Sequence, residues 1–394
     1  MEDHYGTVTA RTEGLRQVRD CMCEVFRELA YDAVSAPILA DYDMLKVGNG
    51  TPAETIYKFI GEESEVLALK ADMTTPLARL AATEWKRVPR PLRLSYVSRV
   101  FRRGGDVFGG RELLQAGVEL IGLSEPEADA EVIAVACEAL RRSGIDQFQI
   151  SLGHNGLLRE LLASLALEED QRDVLRDALI RRDFVVARQV LGSVGKDRRS
   201  LVGALSPFGS ARSLEDLDSL GIELPGLQRL RAVVDVLGAY GVSEHLRVDV
   251  SLARGFDYYT GVVFEIYCPS SGLMVGGGGR YDGLTGAFGA PEAATGFALD
   301  LDRVLASLPA QQGRVKASCK WLVMGSRERR EQVLTCALQL RASGHRAAVH
   351  WMEEEPVASA GELAEAMGFS GAVVVRQDGQ MEFRCVSAER VSPL

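Results

Sequence analysis

Apolar residues recur at helical spacing through GLRQVRDCMCEVFRELA (14–30), which predicts an amphipathic helix. A short extended piece containing Pro37 follows. VLALKA (66–71) and LRLSYVSRV (92–100) read as strands, with a helix between them over 76–85. ELLQAGVELIG (112–122) reads as a further strand, 126–143 as a long helix and FQISLG as the strand after it. From about 155 to 245 the pattern is almost purely helical: GLLRELLASL, QRDVLRDALI, ARQVLGSVG and LQRLRAVVDVLGAYG. Strand signals then resume in LRVDVSL and VVFEIYCP. The glycine-rich GLMVGGGGRYDG comes next, and TGFALDLDRVLASL reads as a strand running into a helix. The helical stretch is therefore expected to be an insertion into an α+β domain. After the polar stretch PAQQGRVKAS (309–318), strand and helix alternate to the end, the pattern of a small α/β domain. The expected organisation is a first domain over 1–308 with an insertion at about 155–245, a linker over 309–318, and a second domain over 319–394.

Composition narrows the function. A chain of 394 residues is too long for one ordinary core, in keeping with two domains. Its 45 basic and 55 acidic residues leave a net charge of −10, which argues against nucleic acid as the main partner. No apolar run of about 18 residues would cross a membrane. The start, MEDHYGTVTARTEG, lacks the apolar core of a signal peptide, so the protein is expected to be cytoplasmic. The seven cysteines are scattered. Only Cys21 and Cys23 are close, and C-x-C alone is a poor zinc signal. The histidines, at 4, 154, 245, 345 and 350, form no metal-spaced cluster. Neither a metal nor a cofactor is expected.

Three segments carry candidate chemistry. In Ala253-Arg254-Gly255-Phe256-Asp257-Tyr258-Tyr259-Thr260-Gly261, an arginine precedes two adjacent tyrosines. A guanidinium can hold a carboxylate or phosphate through its planar fork. The same residues read equally as a surface arginine beside packing aromatics. In Gly276-Gly277-Gly278-Gly279-Arg280-Tyr281-Asp282-Gly283, four glycines remove every side chain from a stretch of backbone. That permits close approach to a ligand or an unusual backbone course. In the strand over 112–122, Gln115 and Glu119 are four apart and share a face, where they need partners if buried. Asp72 and Thr74, two apart in LKADMTTP, add a carboxylate suited to an ammonium group. Carboxylates for an ammonium, an arginine for a carboxylate and aromatic walls together describe an amino-acid pocket.

In this order, the segments resemble histidyl-tRNA synthetases and their paralogues, the ATP phosphoribosyltransferase regulatory subunits. The matching pieces are Pro37, LKADMTT, FRR, ELLQAGVELIG, the helical insertion, ARGFDYYTG, GGGGRYDG and GFALDLDR, over roughly residues 14–308. The resemblance implies a class II aminoacyl-tRNA synthetase-like fold, an antiparallel sheet flanked by helices, and a homodimer. It also implies that the small C-terminal domain is related to an anticodon-binding domain. Carried over position by position, Asp72 and Thr74 would hold the histidine α-amino group, and Gln115 and Glu119 would help bind the amino acid. Glu119 and Tyr259 would lie near the imidazole. Arg254, Tyr258 and Tyr281 match histidine-recognition segments. Arg102 stands at the motif-two arginine and is counted with the binding residues.

Two positions depart from a synthetase. Gly104 stands where a glutamate reads adenine, and Asp300-Leu301-Asp302-Arg303 stands where motif three reads Gly-x-Glu-Arg. A carboxylate against nucleotide phosphates is unfavourable. Losing one donor aimed at developing charge commonly lowers the rate about 10²–10³-fold. With histidine recognition kept and ATP handling lost, the resemblance implies a regulatory subunit with no catalytic residue. Such a chain would activate a short-form catalytic subunit in the first step of histidine biosynthesis and carry feedback inhibition by histidine. The alternative is a divergent histidyl-tRNA synthetase performing ATP-dependent histidine activation.

Overall fold

The computed structural model describes residues 2–47, 53–103, 110–164, 167–180, 183–191, 224–249, 252, 259–309, 320–352 and 359–385. The chain forms two compact units. One is residues 15–309; the other combines residues 1–14 with 310–394.

Element labels count the described helices and strands. Helix α1 (Glu2–Glu28) begins earlier than its apolar spacing predicts, because its first turns are mostly polar and carry no periodic signal. Val18, Met22, Val25 and Phe26 form its buried stripe, at the spacing of one helix face. Short elements follow: β1 (Asp32–Ala33), β2 (Leu39–Asp41), α2 (Tyr42–Lys46), β3 (Lys58–Ile60) and β4 (Val66–Leu69). After α3 (Thr74–Ala82) come the long strands β5 (Leu92–Phe101) and β6 (Glu112–Ile121). Next are α4 (Pro126–Arg142) and β7 (Gln149–His154). The insertion contributes α5 (Leu157–Ser164), α6 (Glu169–Ile180), α7 (Phe184–Leu191) and α8 (Pro225–Ala239). The unit closes with β8 (Leu246–Val248), β9 (Val262–Cys268), β10 (Leu273–Arg280), β11 (Ala294–Asp300) and α9 (Leu301–Ser307).

Eight strands pair in the order β1-β5-β6-β11-β10-β9-β7-β8. Pairing is antiparallel through the interior and parallel at the two edges, β1 with β5 and β7 with β8. A second, three-stranded antiparallel sheet runs β2-β4-β3. One face of the large sheet is packed. Ala116, Val118 and Leu120 of β6, Phe264 and Ile266 of β9, and Phe297 and Leu299 of β11 join the buried stripes of α1, α4, α8 and α9 in one core. Helix α3 covers part of the other face, where Leu77 meets Tyr96 and Val100, and Ala78 and Ala81 meet Leu92 and Leu94.

The four-glycine run lies in the middle of this sheet as part of β10, paired to β9 and β11 on either side, with a shift in the β9 register between Met274 and Gly276. Composition alone leaves close approach or an unusual backbone course open, since glycine is poor in strand interiors. Close approach accounts for it: a Cβ built on Gly278 would stand 2.0 Å from the Gly296 carbonyl oxygen. Gly278→Ala is therefore expected to destabilise the protein by about 1–3 kcal/mol or more, the usual range for overpacking. Denaturant unfolding checks this, and an unchanged midpoint would refute it.

The smaller unit holds β12 (Lys320–Ser326), α10 (Arg330–Ala342), β13 (Arg346–Met352), α11 (Ala360–Ala366), β14 (Gly371–Val375) and β15 (Met381–Cys385). Its sheet order is β13-β12-β14-β15, parallel except for the last strand. Alternate β12 residues face opposite helices, Trp321 and Val323 toward α10 and Leu322 and Met324 toward α11. Trp321 is buried as a core residue, whereas Trp351 is 37% exposed on β13, an edge strand.

Candidate functional site

On the open face of the large sheet, register sets the site. Residues directly opposite on antiparallel strands share a face. Glu119 lies opposite Leu94 and Gly296, Gly117 opposite Tyr96 and Ala298, and Gln115 opposite Ser98 and Asp300. One strand further, Gly296 and Ala298 oppose Gly279 and Gly277. The floor of this face is thus a trough of glycine and alanine, with larger polar residues at its ends. Alternation divides the glycine run: 277 and 279 belong to the trough, while 276 and 278 oppose Leu299 and Phe297 of the packed face.

Glu119 anchors one end. It is 1% exposed. Thr74 Oγ1 donates to its Oε1 at 2.7 Å, and Tyr281 Oη donates to its Oε2 at 2.5 Å. Gly296 gives the carboxylate its space, since a Cβ there would stand 1.9 Å from Oε2. Burial, with a smaller contribution from Asp72 and against the Tyr281 and Thr74 hydrogen bonds, pushes the Glu119 pKa up to about 8. The folded value lies above the ordinary carboxylate value of 4.5. Between these two pH values the unfolded chain has released a proton that the folded chain retains. Stability is therefore expected to fall as pH rises from about 4.5 to about 8 and to level off above. In Glu119→Gln this slope should flatten. Unfolding midpoints measured across that range decide the point, and an unaltered slope would count against it.

Asp72 and Thr74 reach the trough from the turn that starts α3. Asp72 is buried and accepts the Thr75 backbone N–H at 2.7 Å, capping the helix. That bond fixes its carboxylate beside Glu119. Tyr259 and Tyr281 pack in one cluster with Leu94, Ile121 and Ala294, and the Tyr259 ring lies over Gly279. Asn155 Nδ2 holds the Tyr259 carbonyl at 2.8 Å. Tyr96 belongs to the same neighbourhood, though the motifs do not single it out. Burial raises its pKa, Glu119, Asp72 and Tyr259 add to the rise, and Arg102 opposes it. A large residue directly opposite Gly117 is the sequence feature that marks it, but only once the β5–β6 register is known.

Gln115 lies about 13 Å along the strand from Glu119, four residues at about 3.4 Å each. It is 9% exposed. Arg102 donates from Nε to the Ala71 carbonyl at 3.1 Å. Asp300 opposite Gln115 caps α9, accepting the N–H groups of Asp302 and Arg303 at 3.1 and 3.2 Å. Its other oxygen lies 3.5 Å from Arg303 Nε. Burial raises the Asp300 pKa against those two backbone hydrogen bonds and the Arg102 charge. Arg303 thus has a carboxylate from its own helix beside it and also donates to the Met274 carbonyl.

Asp72, Thr74, Glu119, Tyr259 and Tyr281 therefore come together at one end, with Gln115 and Arg102 toward the other. Arg254, Tyr258 and Gly104 lie outside the described residues.

An antiparallel sheet packed on helices, with a carboxylate-bearing trough on its open face, defines a class II aminoacyl-tRNA synthetase-like protein. Residues 8–304 match the family described as histidyl-tRNA synthetase. The chain is 37% identical to the ATP phosphoribosyltransferase regulatory subunit of Desulforamulus reducens, over 84% of each chain. It is 32% identical to that of Bacillus subtilis, over 86% of this chain and 88% of the other. Among solved structures it is similar to an ATP phosphoribosyltransferase regulatory subunit/histidyl-tRNA synthetase from Bacillus halodurans. There the TM-score is 0.77 and the identity 30%, covering 90% of this chain and 92% of that one. Histidyl-tRNA synthetase from Nostoc shares the fold, with TM-score 0.76 and 19% identity over 95% and 94% of the two chains. The chain belongs to the histidyl-tRNA synthetase family, and within it to the ATP phosphoribosyltransferase regulatory subunits.

Proposed function

We propose that this chain binds histidine in the trough and passes that binding to a short-form ATP phosphoribosyltransferase catalytic subunit, activating it and mediating feedback inhibition. The observation that carries the reading is Glu119: a buried carboxylate with a hydroxyl donor on each oxygen, at one end of the glycine and alanine trough. An imidazole N–H is a suitable further donor to it, with Tyr259 alongside. Asp72 and Thr74 take the α-amino group, and Gln115 offers a further polar contact. Arg102, Arg254 and Tyr258 are counted with the binding residues through the family resemblance, Arg254 as the partner of the carboxylate. Coupling of this kind is reciprocal, so the state of the complex that is less active must bind histidine better.

Asp300 favours regulation over chemistry. It sets a buried carboxylate against Arg303, where an incoming triphosphate would need that cation free. No catalytic residue or cofactor is assigned. The core acts as a homodimer within a hetero-oligomer, in the cytoplasm, and neither nucleic acid nor a membrane is a partner. Histidine binding falls to the unit of residues 15–309, and the C-terminal part of the other unit is taken as a reused anticodon-type domain.

The test is phosphoribosyl-ATP formation by a matched short-form catalytic subunit, with and without this chain, and then with histidine. Activation that histidine suppresses supports the reading. No effect on the partner, together with ATP-dependent histidine adenylation, would replace it with the divergent-synthetase reading.

A further inference from the structure

Beneath the trough, on the packed face, one carboxylate serves two arginines. Asp129 of α4 is 1% exposed. Arg280, the last residue of β10, donates from Nε to Asp129 Oδ1 at 2.9 Å and to Oδ2 at 3.2 Å. Arg229 of α8 in the insertion donates from Nε and Nη2 to the same Oδ2, at 3.0 and 2.7 Å. Arg280 Nη1 is taken by Asp282 and by the Leu123 carbonyl. Arg280 Nη2, although buried, finds no partner among the described residues.

That arrangement is under-satisfied in a specific way. Nε and Nη2 of a guanidinium form a fork that takes a carboxylate side-on. Here Nε alone reaches Asp129, because Oδ2 is engaged by both donors of Arg229. If Arg229 withdrew, a small rotation of Asp129 would give Arg280 the full fork. Two discrete pairings of the same three groups are therefore available: Asp129 shared, as observed, or Asp129 wholly on Arg280. The next residue after Arg280 is Tyr281, which holds Glu119 from the other side of the sheet. Asp282, gripped by Arg280, also accepts the Ala294 N–H at the start of β11.

We propose that Arg229 and Asp129 are positioning residues that couple the helical insertion to the trough, with Arg229 acting as a brake on ligand binding. In the shared pairing Arg280 Nη2 is unmatched, so the Arg280–Tyr281 corner makes one bond fewer than its guanidinium allows. With Asp129 wholly on Arg280 that bond is added, the Tyr281–Glu119 hydrogen bond already present is held more firmly, and the trough binds its amino acid more tightly. A partner that draws α8 and Arg229 away from Asp129 would raise histidine affinity, and by linkage histidine would favour that partner-bound arrangement. The inference rests on the trough being a histidine site.

The test is calorimetric titration of the full chain with L-histidine. Arg229 is 22% exposed in its side chain, so Arg229→Met is compatible with folding. It is expected to tighten histidine binding about five-fold or more. Arg229→Lys, with a single ammonium in place of two donors, should fall between Met and the unaltered protein. Asp129→Asn should weaken binding. Simple damage to the fold would not tighten binding, so the opposite signs separate positioning from structural support. Equal or weaker binding in Arg229→Met, with histidine bound normally by the unaltered chain, overturns the coupling alone. Absence of histidine binding by the unaltered chain overturns the functional reading, and this inference with it.

Discussion

Glu119→Ala is expected to weaken histidine binding roughly a hundredfold while leaving activation of the catalytic partner in place. The substitution removes the acceptor for the ligand nitrogen and also leaves the Thr74 and Tyr281 hydroxyls facing each other without the carboxylate that joined them. A neutral buried hydrogen bond contributes about 0.5–1.5 kcal/mol, and a buried group left unmatched adds about 1–3 kcal/mol. About 3 kcal/mol corresponds to roughly two orders of magnitude in affinity. Calorimetry reads the affinity, and the partner's rate of phosphoribosyl-ATP formation reads the consequence. In the variant, histidine at concentrations that inhibit the parent complex should no longer inhibit. Full inhibition by histidine in Glu119→Ala would show that the effector binds elsewhere.

Asp129→Ala should destabilise the larger unit by about 3–5 kcal/mol, the range for breaking a buried ion pair from one side. Arg280 would be left charged in the sheet–helix core, and Arg229 would lose both bonds of its guanidinium. Chemical denaturation is the measurement. A control sharpens it: replacing Asp129, Arg229 and Arg280 together with apolar residues of similar size should recover most of the loss, because no charge is then stranded. If Asp129→Ala unfolds at the parent midpoint, the three groups are not the buried network described above.

Periodicity made most of the fold legible. β6, α4, β7, β11 with α9, and the alternating strands and helices of residues 320–385 fall where apolar spacing puts them. The shared face of Gln115 and Glu119 also follows from the strand period. Other features lay beyond any local pattern. The glycine run permits either close approach or an unusual course until its neighbours are known, because its reason is the Gly296 carbonyl on the adjacent strand. Tyr96 looks like one more aromatic in a strand; its place in the site comes from pairing with Gly117. Asp129 sits in the acidic first turn of a helix, where a carboxylate needs no special explanation. Only the fold shows that it points inward to two arginines that follow by 100 and 151 residues.

The trough floor has a consequence for how this chain tolerates change. Its space comes from leaving side chains out of a fully paired sheet. A larger residue at Gly296 would strike both the Glu119 carboxylate and the Val118 carbonyl across the strand. The mutation that fills the cavity is then also the mutation that pries the strands apart. Random substitution screened only for soluble, folded protein should therefore leave the cavity open, even in a population never exposed to the ligand. The binding space would be inherited as a by-product of foldability, while the residues around its rim remain free to drift toward a different guest.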